Sequence, residues 1–160
     1  MATQFGGALK EGDPAPEIAL PTDAGEPFRL SQLRGKKVVL FFYPRASTPG
    51  CTTEACEFRD GSSAFAGSGA VVLGISPDPP ARQAGFKTKY GLPFTLLCDV
   101  DRAAAKAYGV WKEKNMYGLK MMGIERTTFL IGEDGAIRKI YPKVKPKGHA
   151  AQVLADLSAL

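Results

Sequence analysis

Histidine and tryptophan occur once each in this chain, at His149 and Trp111. A metal centre built on several histidines is therefore excluded. Long apolar runs are absent too. Nothing approaches the roughly 20 apolar residues that a membrane-spanning helix needs. The N-terminal "MATQFGGALKEGDPAPEIAL" has no apolar core of a secretory signal, which points to the cytoplasm. A transit peptide already removed would leave no trace. Internal repeats and low-complexity linkers are also missing, so the 160 residues read as one domain, residues 1–160.

Cysteine is scarce: Cys51, Cys56 and Cys98. An odd number without a secretory signal argues against a disulfide-stapled scaffold. Structural zinc wants four ligands, and here there is no second cysteine pair beside Cys51 and Cys56. No metal is expected. With 44% hydrophobic and 23% charged residues, the composition is that of a globular protein. The formal charge is +5, and five basic residues fall in "RKIYPKVKPK", Arg138 to Lys147. The segment reads as a solvated edge strand blunted by lysines. No nucleic-acid motif accompanies it, so neither a nucleic-acid nor a membrane partner is expected.

The pattern of elements is informative. "EIALPTDAGEPFRLSQL" places a turn between two short apolar segments and predicts an N-terminal β-hairpin. "KKVVLFFYP" has the continuous β-branched and aromatic character of a strand buried on both faces, ending at Pro44. A helix follows, with Thr48 at its N-cap and Pro49 at its first position. "AVVLGISPD" is a second buried strand. Then comes a helix with Asp78 as cap, Pro79 as first residue and Gly91 as stop. "FTLLCD" is a third strand and "DRAAAKAYGV" a short helix. "RTTFLIGEDGAIRKIYP" gives two strands around "EDG", and "HAAQVLADLSAL" a closing amphipathic helix. Trp111 and "NMYGLKMMG" read as packing on the surface or over the core. The order predicts an α/β fold of thioredoxin-like type, a mixed central sheet flanked by helices.

The chemistry centres on "YPRASTPGCTTEAC", Tyr43 to Cys56. With Thr48 as cap, Cys51 is the third residue of the helix. First-turn amides there lack intrahelical partners, and the helix dipole adds partial positive charge. Both stabilise a thiolate. Thr48 projects a hydroxyl toward the same space, and Pro44 bounds it without offering an N–H. Cys51 is accordingly the candidate nucleophile, against the plainer reading of a small buried hydrophobe.

Cys56 lies five positions on, which in an α-helix separates the side chains by about 140° and the Cα atoms by about 8.6 Å. A disulfide tolerates at most about 7 Å. If the two cysteines react with each other, the first turns must unwind. Gly50 and the two β-branched threonines of "TPGCTT" make that inexpensive. Cys56 as a buried spectator stays open. Arg126, in "GIERTTFLI", stands at the threshold of a buried strand, where a charge needs a partner. Spacing alone does not choose between a place beside Cys51 and a solvent-facing strand end. Cys98 reads as a packed core thiol, with a back-up partner for Cys51 as the alternative.

These residues resemble the peroxiredoxins, and among them the peroxiredoxin Q (bacterioferritin comigratory protein) subgroup. The likeness is carried by "FFYPRASTPGCTTEACEFRD" with its P-x-x-x-T-x-x-C pattern, by "EGDPAPEIALPTDAG", and by "YGVWKEKNMYGLKMMGIERTTFLI". The resemblance implies a thioredoxin fold and a thiol peroxidase acting on hydrogen peroxide and organic hydroperoxides. It implies that Cys51 is the peroxidatic cysteine, with Thr48 bonding the peroxide and Pro44 shielding the sulfenic acid. Arg126 would hold the thiolate and Glu54 would orient Arg126. Cys56 would be the resolving cysteine of an intramolecular disulfide, and a thioredoxin-like dithiol protein the reductant. No metal, haem or flavin is implied, and a monomer, with weak dimers allowed, is the expected state. Cys98 is no part of the pattern. Two rival classes are a disulfide oxidoreductase, which ordinarily uses C-x-x-C, and a non-catalytic interaction module on the same fold.

Overall fold

The computed structural model describes residues 9–160. Residues 1–8, where part of the N-terminal targeting segment was sought, lie outside the described residues. Strands β1 (Ala19–Pro21) and β2 (Pro27–Arg29) form the expected hairpin, and a 3-10 turn follows at Leu30–Leu33. Strand β3 (Lys37–Phe42) leads into helix α1 (Pro49–Asp60). Helix α2 (Ser62–Gly67) continues the chain after a break at Gly61, and strand β4 (Ala70–Ser76) follows. Helix α3 (Pro80–Tyr90), strand β5 (Thr95–Cys98) and helix α4 (Ala103–Ala107) come next. Strands β6 (Trp111–Met116) and β7 (Leu119–Ile124) form a second hairpin. Strands β8 (Thr127–Ile131) and β9 (Ile137–Tyr141) and helix α5 (His149–Leu157) close the fold.

The central sheet runs β5-β4-β3-β8-β9. β3, β4 and β5 are parallel, whereas β8 is antiparallel to β3 and β9 to β8, so the sheet is mixed as expected. The twofold alternation of a strand divides β3 between two cores. Val39 and Phe41 pack with Phe58 of α1, Phe65 of α2, Phe86 of α3 and Val153 of α5. Val38, Leu40 and Phe42 pack on the opposite face with Ala105 of α4, Tyr108, Ile124 and Phe129. Phe41 stacks on Phe58 at 4.7 Å between ring centroids, which fixes α1 across the sheet. Each such buried apolar side chain contributes roughly 1.5–3 kcal/mol. β9 is an edge strand, as the run of basic residues suggested. Its Arg138 pairs with Asp134 and its Lys139 with Asp156.

One local expectation is corrected and another sharpened. Helix α3 starts one residue later than expected, at Pro80, with Pro79 in the extended N-cap conformation. Asp78 does not cap it, because its carboxylate already accepts hydrogen bonds from the Ala46 amide and the Ser76 hydroxyl, each at 2.7 Å. Gly91 ends α3 in the left-handed region, as expected. The segment around "NMYGLKMMG", expected as packing on the surface or over the core, is a regular hairpin with Trp111 against the core and Leu119, Met121 and Met122 exposed. Its two-residue turn, Tyr117–Gly118, has φ of 54° and 80°, the positive values that turn requires. No helix among the described residues is long and apolar enough to cross a membrane.

Candidate active site

The loop Tyr43–Thr48 joins the end of β3 to α1 and shapes the site. Ser47 sits at φ 66°, a left-handed conformation that a serine adopts only at some cost. The Asp78 carboxylate, from the β4–α3 loop, holds the neighbouring Ala46 amide and so secures the bend. Thr48 then takes the extended N-cap conformation and Pro49 opens the helix, as the sequence indicated. The Thr48 hydroxyl does not cap. It donates to the Arg45 carbonyl at 2.9 Å, which leaves its oxygen lone pairs for another donor. Pro44 is half-buried in the same loop.

Cys51, the third residue of α1, is buried at 1% exposure. Arg126 meets it from the start of β8. One guanidinium nitrogen, Nη2, donates to the Cys51 Sγ at 3.3 Å, and the other, Nη1, donates to Glu54 Oε1 at 2.8 Å. The sheet register explains the meeting. Phe42, the last residue of β3, pairs with Thr127, so Arg126 emerges beside the loop that leads into α1. Gly50 leaves room for it, since a Cβ there would lie 3.2 Å from Nη2. The alternative of a solvent-facing Arg126 is thereby decided: its side chain is 16% exposed and ion-paired.

The electrostatics follow from burial. Glu54 is fully enclosed, and loss of water pushes its carboxyl up to about 7, with Arg126 offsetting only part of the effect. Its second oxygen, Oε2, has no hydrogen-bond partner among the described residues. Burial alone would lower the Arg126 pKa, but the Cys51 sulfur and the Glu54 carboxylate raise it, so the guanidinium is a permanent cation at the sulfur.

Cys56 is half-buried on the same helix, and the three cysteines are free thiols. Cys98 lies on β5, separated from β3 by β4, with its Sγ 3.7 Å from the Thr22 carbonyl. Burial first, then Asp23 and Asp78, push its thiol up to about 11, and it packs as a core residue. Lys114 was not singled out from the sequence. Burial first, and then the Arg126 charge, hold its pKa below the usual lysine value, while Glu125 and Cys51 pull the other way. Its ammonium therefore lies within electrostatic reach of the pocket. The only sequence signal for it was the two-residue hairpin turn that carries β6 alongside β7.

The AhpC/TSA family matches residues 11–140. Peroxiredoxin Bcp of Bacillus subtilis is 49% identical over 149 residues, covering 93% of this chain and 95% of its own. Peroxiredoxin Bcp of Escherichia coli is 42% identical over 146 residues, covering 91% and 94%. Among solved structures, the bacterioferritin comigratory protein of Xanthomonas campestris superposes with a TM-score of 0.85 at 42% identity, covering 89% of this chain and 90% of that one. A cysteine-to-serine mutant of Xylella fastidiosa PrxQ reaches 0.90 at 37% identity, covering 96% and 98%. Sequence and fold thus agree over nearly the whole length: the chain belongs to the AhpC/TSA family, as a peroxiredoxin of the Bcp, or peroxiredoxin Q, kind and hence a thiol-dependent peroxidase.

Proposed function

We propose that Cys51 reduces hydrogen peroxide and organic hydroperoxides, that Cys56 resolves the product, and that a thioredoxin-type dithiol protein recycles the disulfide. The observation that carries this reading is the 3.3 Å contact of Arg126 with the Cys51 sulfur at the first turn of α1. The Xanthomonas relative, described for its alkyl peroxide reduction activity, supports the organic substrates.

The thiolate of Cys51 attacks one peroxide oxygen, a sulfur–oxygen bond forms and the O–O bond breaks. Sulfur is oxidised to a sulfenic acid, the reversible first stage of cysteine oxidation. The leaving alkoxide or hydroxide takes a proton and departs as alcohol or water. Arg126 stabilises the charge that develops on the breaking bond. Thr48, whose hydroxyl proton is committed to the Arg45 carbonyl, accepts the hydrogen bond of the hydroperoxide O–H. Glu54 keeps the guanidinium in its plane. Pro44 covers the site without an N–H that would compete. The Cys56 thiol then condenses with the sulfenic acid, releasing water and forming the Cys51–Cys56 disulfide.

Two variants test the roles. Cys51→Ser loses peroxide turnover. Cys56→Ser consumes about one equivalent of peroxide and accumulates sulfenic acid, read by mass spectrometry after trapping with dimedone. Peptide mapping of wild type after one equivalent of peroxide shows a Cys51–Cys56 link. A Cys56→Ser protein that cycles normally with thioredoxin would exclude Cys56 as the resolving thiol.

A further inference from the structure

The β6–β7 hairpin stands apart from the central sheet and carries an unusual surface. Directly opposed residues of an antiparallel pair share a face. Trp111 and Ile124 are one such pair, and they pack into the core on the side of the sheet away from Cys51. Lys112 with Gly123 and Lys114 with Met121 are pairs on the other face, as is the position of Leu119. That face turns toward the catalytic pocket: it is opposite to Trp111 and Ile124, which pack on the side of the sheet away from Cys51, and β7 ends two residues before Arg126. The Lys114 stem lies across Gly123, where a Cβ would be 3.2 Å from Cδ, and so points toward the strand end that delivers Arg126. Beyond Lys114 the described residues leave the face open: Met121 is 52% and Leu119 66% exposed, and Tyr117 at the turn is fully exposed.

We propose that this pocket-facing side of the hairpin, with Met121, Leu119 and Tyr117 beside Lys114, is the docking surface for the dithiol protein that reduces the Cys51–Cys56 disulfide. The inference rests on the proposed thiol–disulfide cycle and names its partner by chemistry: an apolar patch around a thiol pair, rimmed by acidic side chains. Tyrosine and methionine are enriched in protein interfaces, and methionine adapts to varied partners. Charge selects the occupant. Lys114 lies on this face in a chain of net charge +5, so a second copy meets repulsion here, whereas an acidic partner is drawn in. An acyl chain wants an enclosed apolar pocket, and these side chains are open to water. A partner seated here reaches the pocket where its thiolate attacks the disulfide. One thiolate leaves, a mixed disulfide forms, and the second partner thiol displaces it. Two electrons pass to this chain and the partner leaves oxidised.

The test is the double variant Leu119→Ser, Met121→Ser, assayed with a purified bacterial thioredoxin and, separately, with dithiothreitol. Expected is a fall of at least tenfold in kcat/KM for thioredoxin, while turnover with dithiothreitol and the single-turnover rate with hydrogen peroxide stay at wild-type values. Retained dithiothreitol turnover also shows that the variant folds. Raising the ionic strength weakens thioredoxin use by wild type as charges are screened. Unchanged kcat/KM for thioredoxin overturns the proposal. So does a slowed reaction with cumene hydroperoxide alone, which assigns the face to substrate, or loss of a wild-type dimer with thioredoxin use intact. Wild type that turns over with dithiothreitol but not with thioredoxin contradicts the choice of reductant and removes this occupant with it.

Discussion

Asp78 shows how a single side chain outside the reacting pocket governs its geometry. The left-handed turn at Ser47 is held by one buried carboxylate that accepts from the Ala46 amide and the Ser76 hydroxyl. Without it the Ala46 N–H, in a residue 2% exposed, is orphaned at a cost of about 1–3 kcal/mol. The loop then has reason to relax, and Thr48 and Pro44 move with it. Asp78→Ala is expected to lower the second-order rate with peroxide about tenfold and to reduce stability by that same 1–3 kcal/mol. Asp78→Asn keeps one acceptor for Ala46 and recovers most of the rate. Stopped-flow peroxide kinetics beside urea unfolding separate the two effects. Equal rates in the Ala and Asn variants would deny the amide contact its role.

Helix α1 is held differently at its two ends. Its first half is attached through Arg126, to Cys51 and Glu54. Its second half is anchored by Phe58, by Glu57 accepting from the Gly148 amide at 2.8 Å, and by Arg59 donating to the Tyr90 carbonyl at 2.7 Å. In the proposed cycle, oxidation of Cys51 to a sulfenic acid alters the sulfur that Arg126 contacts. The proposed pairing then requires the weaker half to yield, since an intact helix keeps the Cα atoms of Cys51 and Cys56 about 8.6 Å apart. Amide hydrogen exchange in the oxidised protein is expected to rise across residues 52–56 and stay slow across residues 57–60. Exchange unchanged throughout would contradict the pairing. At this scale the sequence was legible where burial imposed a pattern. β3, α1 and the β8–β9 hairpin each carry runs that only one kind of element can bury. The β6–β7 hairpin was not, because its outer strands bury little and so lack the apolar alternation of a core strand. Cys51 and Thr48 were legible as neighbours on one turn. Arg126, 75 residues from Cys51, reaches it only through the antiparallel register of β8 on β3, which local spacing does not encode.

For the molecule as a whole, two buried groups that share Arg126 as a neighbour tilt its stability in opposite directions with pH. Glu54 faces Arg126 and Glu57, and burial raises its pKa from 4.5 to about 7. His149 bonds Thr128 at 2.8 Å and lies edge-on to Phe58 and Tyr141. Burial, with Arg126 adding to it, lowers its pKa from 6.5 to about 4. Between the two Glu54 values the unfolded chain releases a proton that the fold retains, so the Glu54 contribution is full at low pH and is lost as pH rises toward 7. Between the two His149 values the unfolded chain binds a proton that the fold refuses, so the His149 contribution is full above pH 6.5 and is lost as pH falls toward 4. At about 1.4 kcal/mol per unit, each spans about 3 kcal/mol, and the two cancel across the window from pH 4.5 to 6.5. Removing either one uncovers the other. Glu54→Gln is expected to gain stability as pH rises through that window, and His149→Gln to lose it, whatever baseline cost each substitution carries. Urea unfolding at pH 4.5, 5.5 and 6.5 reads the slopes. Two variants that tilt the same way would show that these groups do not titrate apart in the fold.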